Sequence, residues 1–332
     1  MKKLWKRLIP LSLALTLLAG CAQGAVGSAS SVVNELEGIY VDRVELVEFD
    51  IEDEAVALAG APAALNDLLM PVASGKLVQK TDRAAIDYSN TSDGYVMVQF
   101  TGTTKTRLKV QVKGPTTTYT YDLKTGVWTT FPLSDGNGKY TVKVMENTTG
   151  TKYAQVVSQS FEAKLTDEFA PFVRPNQYVD YAVAPNTIAK AKELAGKETD
   201  PMKLVGVVYD YVVKNFTYDK ELAANVKSGY LPVLDNVLAA KKGICFDYAG
   251  LMTGMLRSLG VPCKLVIGYA GDAYHAWVSV WTEQSGWVEA AIYFDGSSWQ
   301  RMDPTFASTG KSSSTIMQYI GDGNNYSVKY VY

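Results

Sequence analysis

Residues 241–269 read KKGICFDYAGLMTGMLRSLGVPCKLVIGY, and this passage decides how the second half of the chain is understood. Gly243 permits a close backbone approach, and Cys245 heads an apolar run. Cys245, Ala249, Met252, Leu256 and Leu259 recur at helical spacing and share one face. Gly260 ends that helix and Pro262 follows it. CKLVIGY then alternates like a strand. The unpaired amides of a helix N-terminus favour an anion, so a cysteine in the first turn is favoured as thiolate. The passage therefore predicts a prepared sulfur nucleophile on a helix tip beside a sheet.

Such a nucleophile needs a neighbour that can carry a proton, and this chain of 332 residues contains one histidine, His275. It opens HAWVSVW, 275–281, which reads as a strand. The imidazole in turn needs an acceptor to orient it. Asp303, in WQRMDPTF (299–306), stands in the last strand-like run. Asp272 and Asp295 compete for the role but lie in loop-like sequence. Residue type alone leaves plainer readings open: a small buried thiol, a hydrogen-bonded core histidine, and a turn-forming aspartate before proline.

The stretches around these residues are more specific. A G-x-C opens a helix, R-S-x-G-V-P closes it, and a strand runs to G-Y. An H-A-W strand and a D-P-T strand end follow in order. Together they resemble the core of the transglutaminase-like superfamily, and FTYD at 216–219 resembles that family's segment upstream of the nucleophile. The resemblance implies an α+β domain over 170–332, papain-like in plan, with helices packed on an antiparallel sheet. It implies Cys245 as nucleophile, His275 as base and Asp303 as orienter. The chemistry implied is a thioester formed with an amide carbonyl and release of an amine. Hydrolysis of a peptide or isopeptide bond is the expected outcome. Transfer to a lysine amine, as in a protein-glutamine transamidase, is the alternative, and a non-catalytic envelope scaffold is the third reading.

Other residues of this half receive lesser roles. Cys263 departs from the family, which carries a small residue such as Ala or Thr there, and reads as a core side chain opening a strand. Tyr218 is a candidate oxyanion donor alongside the Cys245 amide. Trp277 and Trp281 alternate onto the face of His275 and are candidates for lining the cleft. Asp247, in the first helical turn, reads as structural. One histidine and two separated thiols make no metal cluster, and neither a P-loop nor a dinucleotide fingerprint occurs, so no cofactor is expected.

The rest of the chain divides by texture. MKKLWKRLIP and LSLALTLLAG combine four cations with an apolar run too short to span a membrane, the layout of a secretory signal over 1–20. LLAGC resembles the lipobox of bacterial lipoproteins, which implies cleavage before Cys21 and a lipid on its sulfur. Loss of Lys2, Lys3, Lys6 and Arg7 takes the net charge from −2 to −6. Residues 21–35 read as a flexible tether, and 36–81 give no clear fold. Over 82–165, strand-like runs separated by NTSDG, LKTG, SDGNG and NTTG predict an all-β immunoglobulin- or fibronectin-like sandwich. The sequence thus predicts an extracytoplasmic, lipid-anchored bacterial protein. Its partners would be the membrane and a peptide or protein substrate at the cell surface. With no basic block past the leader, nothing draws it to nucleic acid.

Overall fold

Between residues 78 and 163, glycine and Asn/Asp turns cut the chain into eight strands: β1 Val78–Lys80, β2 Ala84–Asp87, β3 Tyr95–Phe100, β4 Leu108–Lys113, β5 Thr118–Asp122, β6 Thr129–Pro132, β7 Gly138–Thr149 and β8 Lys152–Ala163. The structure, a computed structural model, describes residues 68–282, 286–288, 292–294, 299–301, 303–309 and 325–332. The leader, the tether with Cys21, most of 36–81, and Asp295 lie outside the described residues.

The eight strands form two four-stranded antiparallel sheets, ordered β1-β2-β3-β6 and β5-β4-β7-β8. Alternation buries Leu108, Val110 and Val112 of β4 while Lys109, Gln111 and Lys113 point away from the core. Val98, Phe100 and Phe131 of one sheet share a core with Val110, Val112 and Val142 of the other. The Tyr121 and Phe131 rings meet across the sheets at 4.8 Å between centroids. Two strands escaped the sequence reading. β1 precedes the boundary at 82, and β6 is a short run ending in Pro132, tolerated because it lies on a sheet edge.

The helices follow. α1 is Pro185–Ala195 and α2 is Pro201–Asn215. Asp200 caps α2, its carboxylate accepting from Met202 N at 2.9 Å and Lys203 N at 3.1 Å, with Pro201 in the first helical position. α3, Lys220–Asn225, and α4, Leu234–Ala240, lead to α5, Cys245–Ser258. Every residue of α5 from Asp247 to Ser258 is buried. A helix buried all round is a central one: α1, α2 and α4 pack against it on the helical side, and β11 (Cys263–Ala270) and β12 (Ala273–Thr282) on the other.

These two strands sit in a four-stranded antiparallel sheet with β13, Gly286–Val288, outside β12 and a last strand, β16 (Tyr326–Val331), outside β11. The run WQRMDPTF is corrected by the structure. Its strand, β15, spans only Trp299–Arg301 and pairs with β14, Ile292–Phe294, in a separate two-stranded sheet. Pro304–Thr309 then form a helix, α6, so Asp303 is a residue preceding a helix and not a strand end. Proline pre-sets the first helical φ, and an aspartate before it supplies the cap.

A tyrosine cluster joins the two halves. Tyr119 and Tyr121 of β5 meet Tyr332 at 5.7 and 5.8 Å, and Tyr178 stacks on Tyr332 at 4.0 Å. Beside it, the buried Arg257 guanidinium of α5 donates to the carbonyls of Cys263, Arg174 and Tyr332.

Candidate active site

Cys245 is the first residue of α5 and is half-buried. Two short parallel strands deliver it: β9, Thr217–Tyr218, pairs with β10, Lys242–Gly243, with Tyr218 opposite Gly243. Asp219 N donates to Gly243 O at 2.8 Å and Thr217 N to Lys241 O at 3.0 Å. The segment FTYD, far upstream in sequence, thereby splints the residues before the cysteine.

His275 lies on β12 opposite Gly268 of β11. Gly268 must be glycine for packing reasons, since a Cβ there would run into the Ser327 carbonyl of β16 and, at 2.8 Å, the Trp277 ring. The imidazole is buried, and its Nε2 meets Asp303 Oδ2 at 2.6 Å. Cys245 stands close enough to the ring to raise its pKa. With Nε2 taken by Asp303, Nδ1 is the nitrogen left to face the sulfur. Burial by itself would lower the imidazole pKa, but the Asp303 charge, its hydrogen bond and Cys245 together outweigh burial and raise it to about 10. The ring is thus held as imidazolium at neutral pH.

Asp303 is completely buried and fully used. Oδ2 accepts from His275 and from the Tyr326 hydroxyl at 3.1 Å, and Oδ1 accepts from Thr305 N at 3.1 Å in the first turn of α6. Tyr326, on β16, is a site residue that the sequence reading missed. NNYSVKYVY carries no mark of it, and the contact exists only because β16 folds back beside β11.

The remaining candidates fall in different places. Tyr218 is half-buried beside Cys245, and burial, reinforced by the charge that Cys245 would carry, pushes its hydroxyl pKa well up, so it stays a neutral donor. Trp277 is wholly buried behind the imidazole, its ring 6.2 Å from that of His275 and edge-on to Tyr326 at 5.1 Å. Its place is corrected from an open cleft wall to the floor beneath the base. Trp281 packs against Phe169, ring centroids 5.0 Å apart. Alternation put both on the face of His275, but a face extends along the whole strand while the site occupies one end of it. Asp272 is an exposed residue of the β11–β12 turn, apart from the ring. Cys263 is a free, buried thiol in the core, held neutral by burial with its pKa pushed up to about 12, and it contacts Thr253 O at 3.7 Å.

Residues 188–304 match the family model of the transglutaminase-like superfamily. A protein-glutamine gamma-glutamyltransferase of Pseudomonas aeruginosa is 31% identical over 120 residues, which is 31% of this chain and 17% of that protein. An uncharacterized Bacillus subtilis protein is 30% identical over 103 residues, 25% of this chain and 14% of its own length. The chain thus spans less than a fifth of either relative. Among solved structures, the periplasmic domain of TgpA from Pseudomonas aeruginosa aligns over 74% of this chain and 78% of its own, with TM-score 0.32 and 19% identity. Red sea bream transglutaminase aligns over 68% and 53%, with TM-score 0.29 and 14% identity.

Proposed function

We propose, for a chain whose residues 188–304 belong to the transglutaminase-like superfamily, that Cys245, His275 and Asp303 open an amide bond through a thioester. The carrying observation is the buried imidazole, bonded to Asp303 at 2.6 Å, with Cys245 close enough to raise its pKa. His275 already holds the proton that the thiol gives up, and the sulfur adds to the substrate carbonyl. The Tyr218 hydroxyl and the Cys245 amide are the donors we assign to the resulting oxyanion. The C–N bond then breaks, and the imidazolium gives its proton to the departing amine. Water next adds to the thioester carbonyl while His275 accepts its proton. The C–S bond breaks, and the acid leaves with the sulfur released beside the protonated ring, as at the start. Asp303 stays ionised throughout and orients the ring.

Hydrolysis is the first reading. Transfer to an amine requires a second channel that excludes water from the thioester, and tryptophans were the candidates to wall it. Trp277 is buried behind the base and Trp281 faces Phe169, so neither supports such a channel. The resemblance to the Pseudomonas gamma-glutamyltransferase favours transamidation as the second reading. The substrate is proposed to be a peptide or protein at the cell surface. The body would be lipid-anchored outside the cytoplasm through Cys21, carried on a fibronectin-like spacer. Two antiparallel sheets around one core support the spacer, and LLAGC supports the anchor.

The test is to label Cys245 with a thiol electrophile, then offer peptide amides with an excess of labelled primary amine and read products by mass spectrometry. Carboxylic acid product from a Cys245-dependent reaction supports hydrolysis, and dominant amine adduct reverses the order. A Cys245 that forms no acyl adduct with any substrate favours the scaffold reading. Intact mass of membrane-extracted protein tests the anchor, which a chain retaining its leader would exclude.

A further inference from the structure

The mechanism leaves one buried carboxylate beside the nucleophile unused. We infer that Asp247 is a positioning residue for Cys245: its ionised side chain ties the turn Gly243–Cys245 to the Tyr230 loop, and so sets where the sulfur stands. The inference rests on the reading of Cys245 as nucleophile.

Asp247 stands in the first turn of α5, two residues beyond Cys245, and is completely buried. Its carboxylate folds back over the start of the helix. Oδ2 accepts from Ile244 N, the residue before Cys245, at 2.8 Å. Oδ1 accepts from the Tyr230 hydroxyl at 2.6 Å. Tyr230 lies between α3 and α4, and its ring packs against Phe246, the residue after Cys245, at 6.4 Å. The residues on both sides of the nucleophile are therefore held by one carboxylate–tyrosine pair. Gly243 completes the device. A Cβ at that position would sit 2.5 Å from Asp247 Cβ and 2.8 Å from Oδ2. The glycine of the G-x-C mark is thus needed to leave room for this carboxylate, a reason the sequence did not disclose.

A helix start needs no buried charge, because a neutral serine, threonine or asparagine caps as well. Here burial, the largest influence, raises the Asp247 pKa to about 6 despite the hydrogen bonds from Tyr230 and Ile244, which lower it. The groups facing it are Tyr230 from the loop, Tyr218 from β9, and Asp219, whose charge raises it further and which pairs with Lys242 at 3.0 Å. Tyr248 faces it from its own helix. Because the folded pKa is raised, the contribution of Asp247 to stability is full below the ordinary carboxylate pKa and is lost as pH rises through about 6. Positioning runs the other way. Protonation leaves a carboxylic acid that can no longer accept both bonds in the same geometry, so the turn loosens as pH falls through about 6. Stability and thiol reactivity therefore move in opposite directions across that range, which a purely structural aspartate would not produce.

The experiment follows alkylation of Cys245 by iodoacetamide in the full chain. Rates are read at the Cys245 peptide by mass spectrometry from pH 5 to 8, beside the melting temperature. The wild-type rate should fall on the acid side of about pH 6. Asp247→Asn keeps the shape and can still accept from Ile244. It should lose that limb and react about three- to tenfold more slowly at pH 7, with an equal or higher melting temperature. Tyr230→Phe removes a hydrogen bond that lowers the carboxylate's pKa, so its limb should move to higher pH. Rates and pH profiles unchanged in both variants would overturn the inference. A wild-type Cys245 no more reactive than the unfolded chain's thiol would instead overturn the nucleophile reading itself, so the two failures are distinguishable.

Discussion

The two halves of this molecule fold by different rules, and their buried polar residues show it. Of the eleven buried polar or charged residues among the described ones, ten lie from Asn176 onward and one, Asp87, lies in the sheets. Asp87 does a local task, accepting from Gly75 N and Ser89 N in a turn. The ten include Asp247, Arg257, His275 and Asp303, three of them directly at or beside the site. Burying a charge costs several kcal/mol unless it is paired and hydrogen-bonded. The sheets avoid that cost by apolar alternation alone. The second half accepts it beside Cys245, where the proposed thiol chemistry would need an oriented imidazole. Under the proposed thiol chemistry Asp247, His275 and Asp303 are buried where the site needs them, while Arg257 ties backbone carbonyls together.

The largest expected effect falls on the second half only. Cys245→Ala should reduce amide turnover by about ten thousandfold or more, while the melting temperature stays within a few degrees of the parent. A thermal scan beside a turnover assay checks both. If stability collapsed with activity, the division between chemistry and folding would fail at its central residue.

Asp303→Ala should strike both properties. It removes the acceptor of His275, Tyr326 and Thr305 and leaves a buried imidazolium without its counter-charge. Breaking such a pair costs about 3–5 kcal/mol, measurable as a lower denaturant midpoint, with activity lost as well. An unchanged midpoint would mean that water reaches the pair, contrary to its burial.

Phe100→Ala sharpens the comparison from the other side. The ring is completely buried in the core between the two sheets, and truncation should cost about 3–5 kcal/mol. Cys245 alkylation measured well below the melting temperature should keep its rate. A rate that falls in step would mean that the tyrosine joint makes the sheets part of the catalytic unit.

The last effect concerns pH. His275 has its pKa raised to about 10 in the folded state, above its unfolded value near 6.5. Its contribution to stability is therefore full below about pH 6.5 and is lost as pH rises through about 10. Melting temperatures of the parent should decline across that window, and those of His275→Gln should decline less. Parallel curves would show that the imidazole is not held charged.

Much of this was legible beforehand, for a local reason. Strand alternation in LKVQVK, helical spacing after Cys245, and the turns between strands are patterns that repeat within a few residues, because each residue's exposure follows the period of its own element. β6 was missed because four residues ending in proline carry too little of any period. The helix after Asp303 was missed because a strand-like run concealed the Asp-Pro start signal.

The chain by itself determined the longer strands and helices, a cysteine at a helix start, and three residue types able to act together. Only the tertiary structure decided how they meet. His275 and Asp303 are separated by 28 residues, Asp303 and Tyr326 by 23, and Tyr230 and Asp247 by 17. No periodicity links positions so far apart. Such polar partners are brought together by the packing of α5 against its sheet and by the return of β16. Once they are buried, the free energy of leaving a charge or hydroxyl unpaired holds them there.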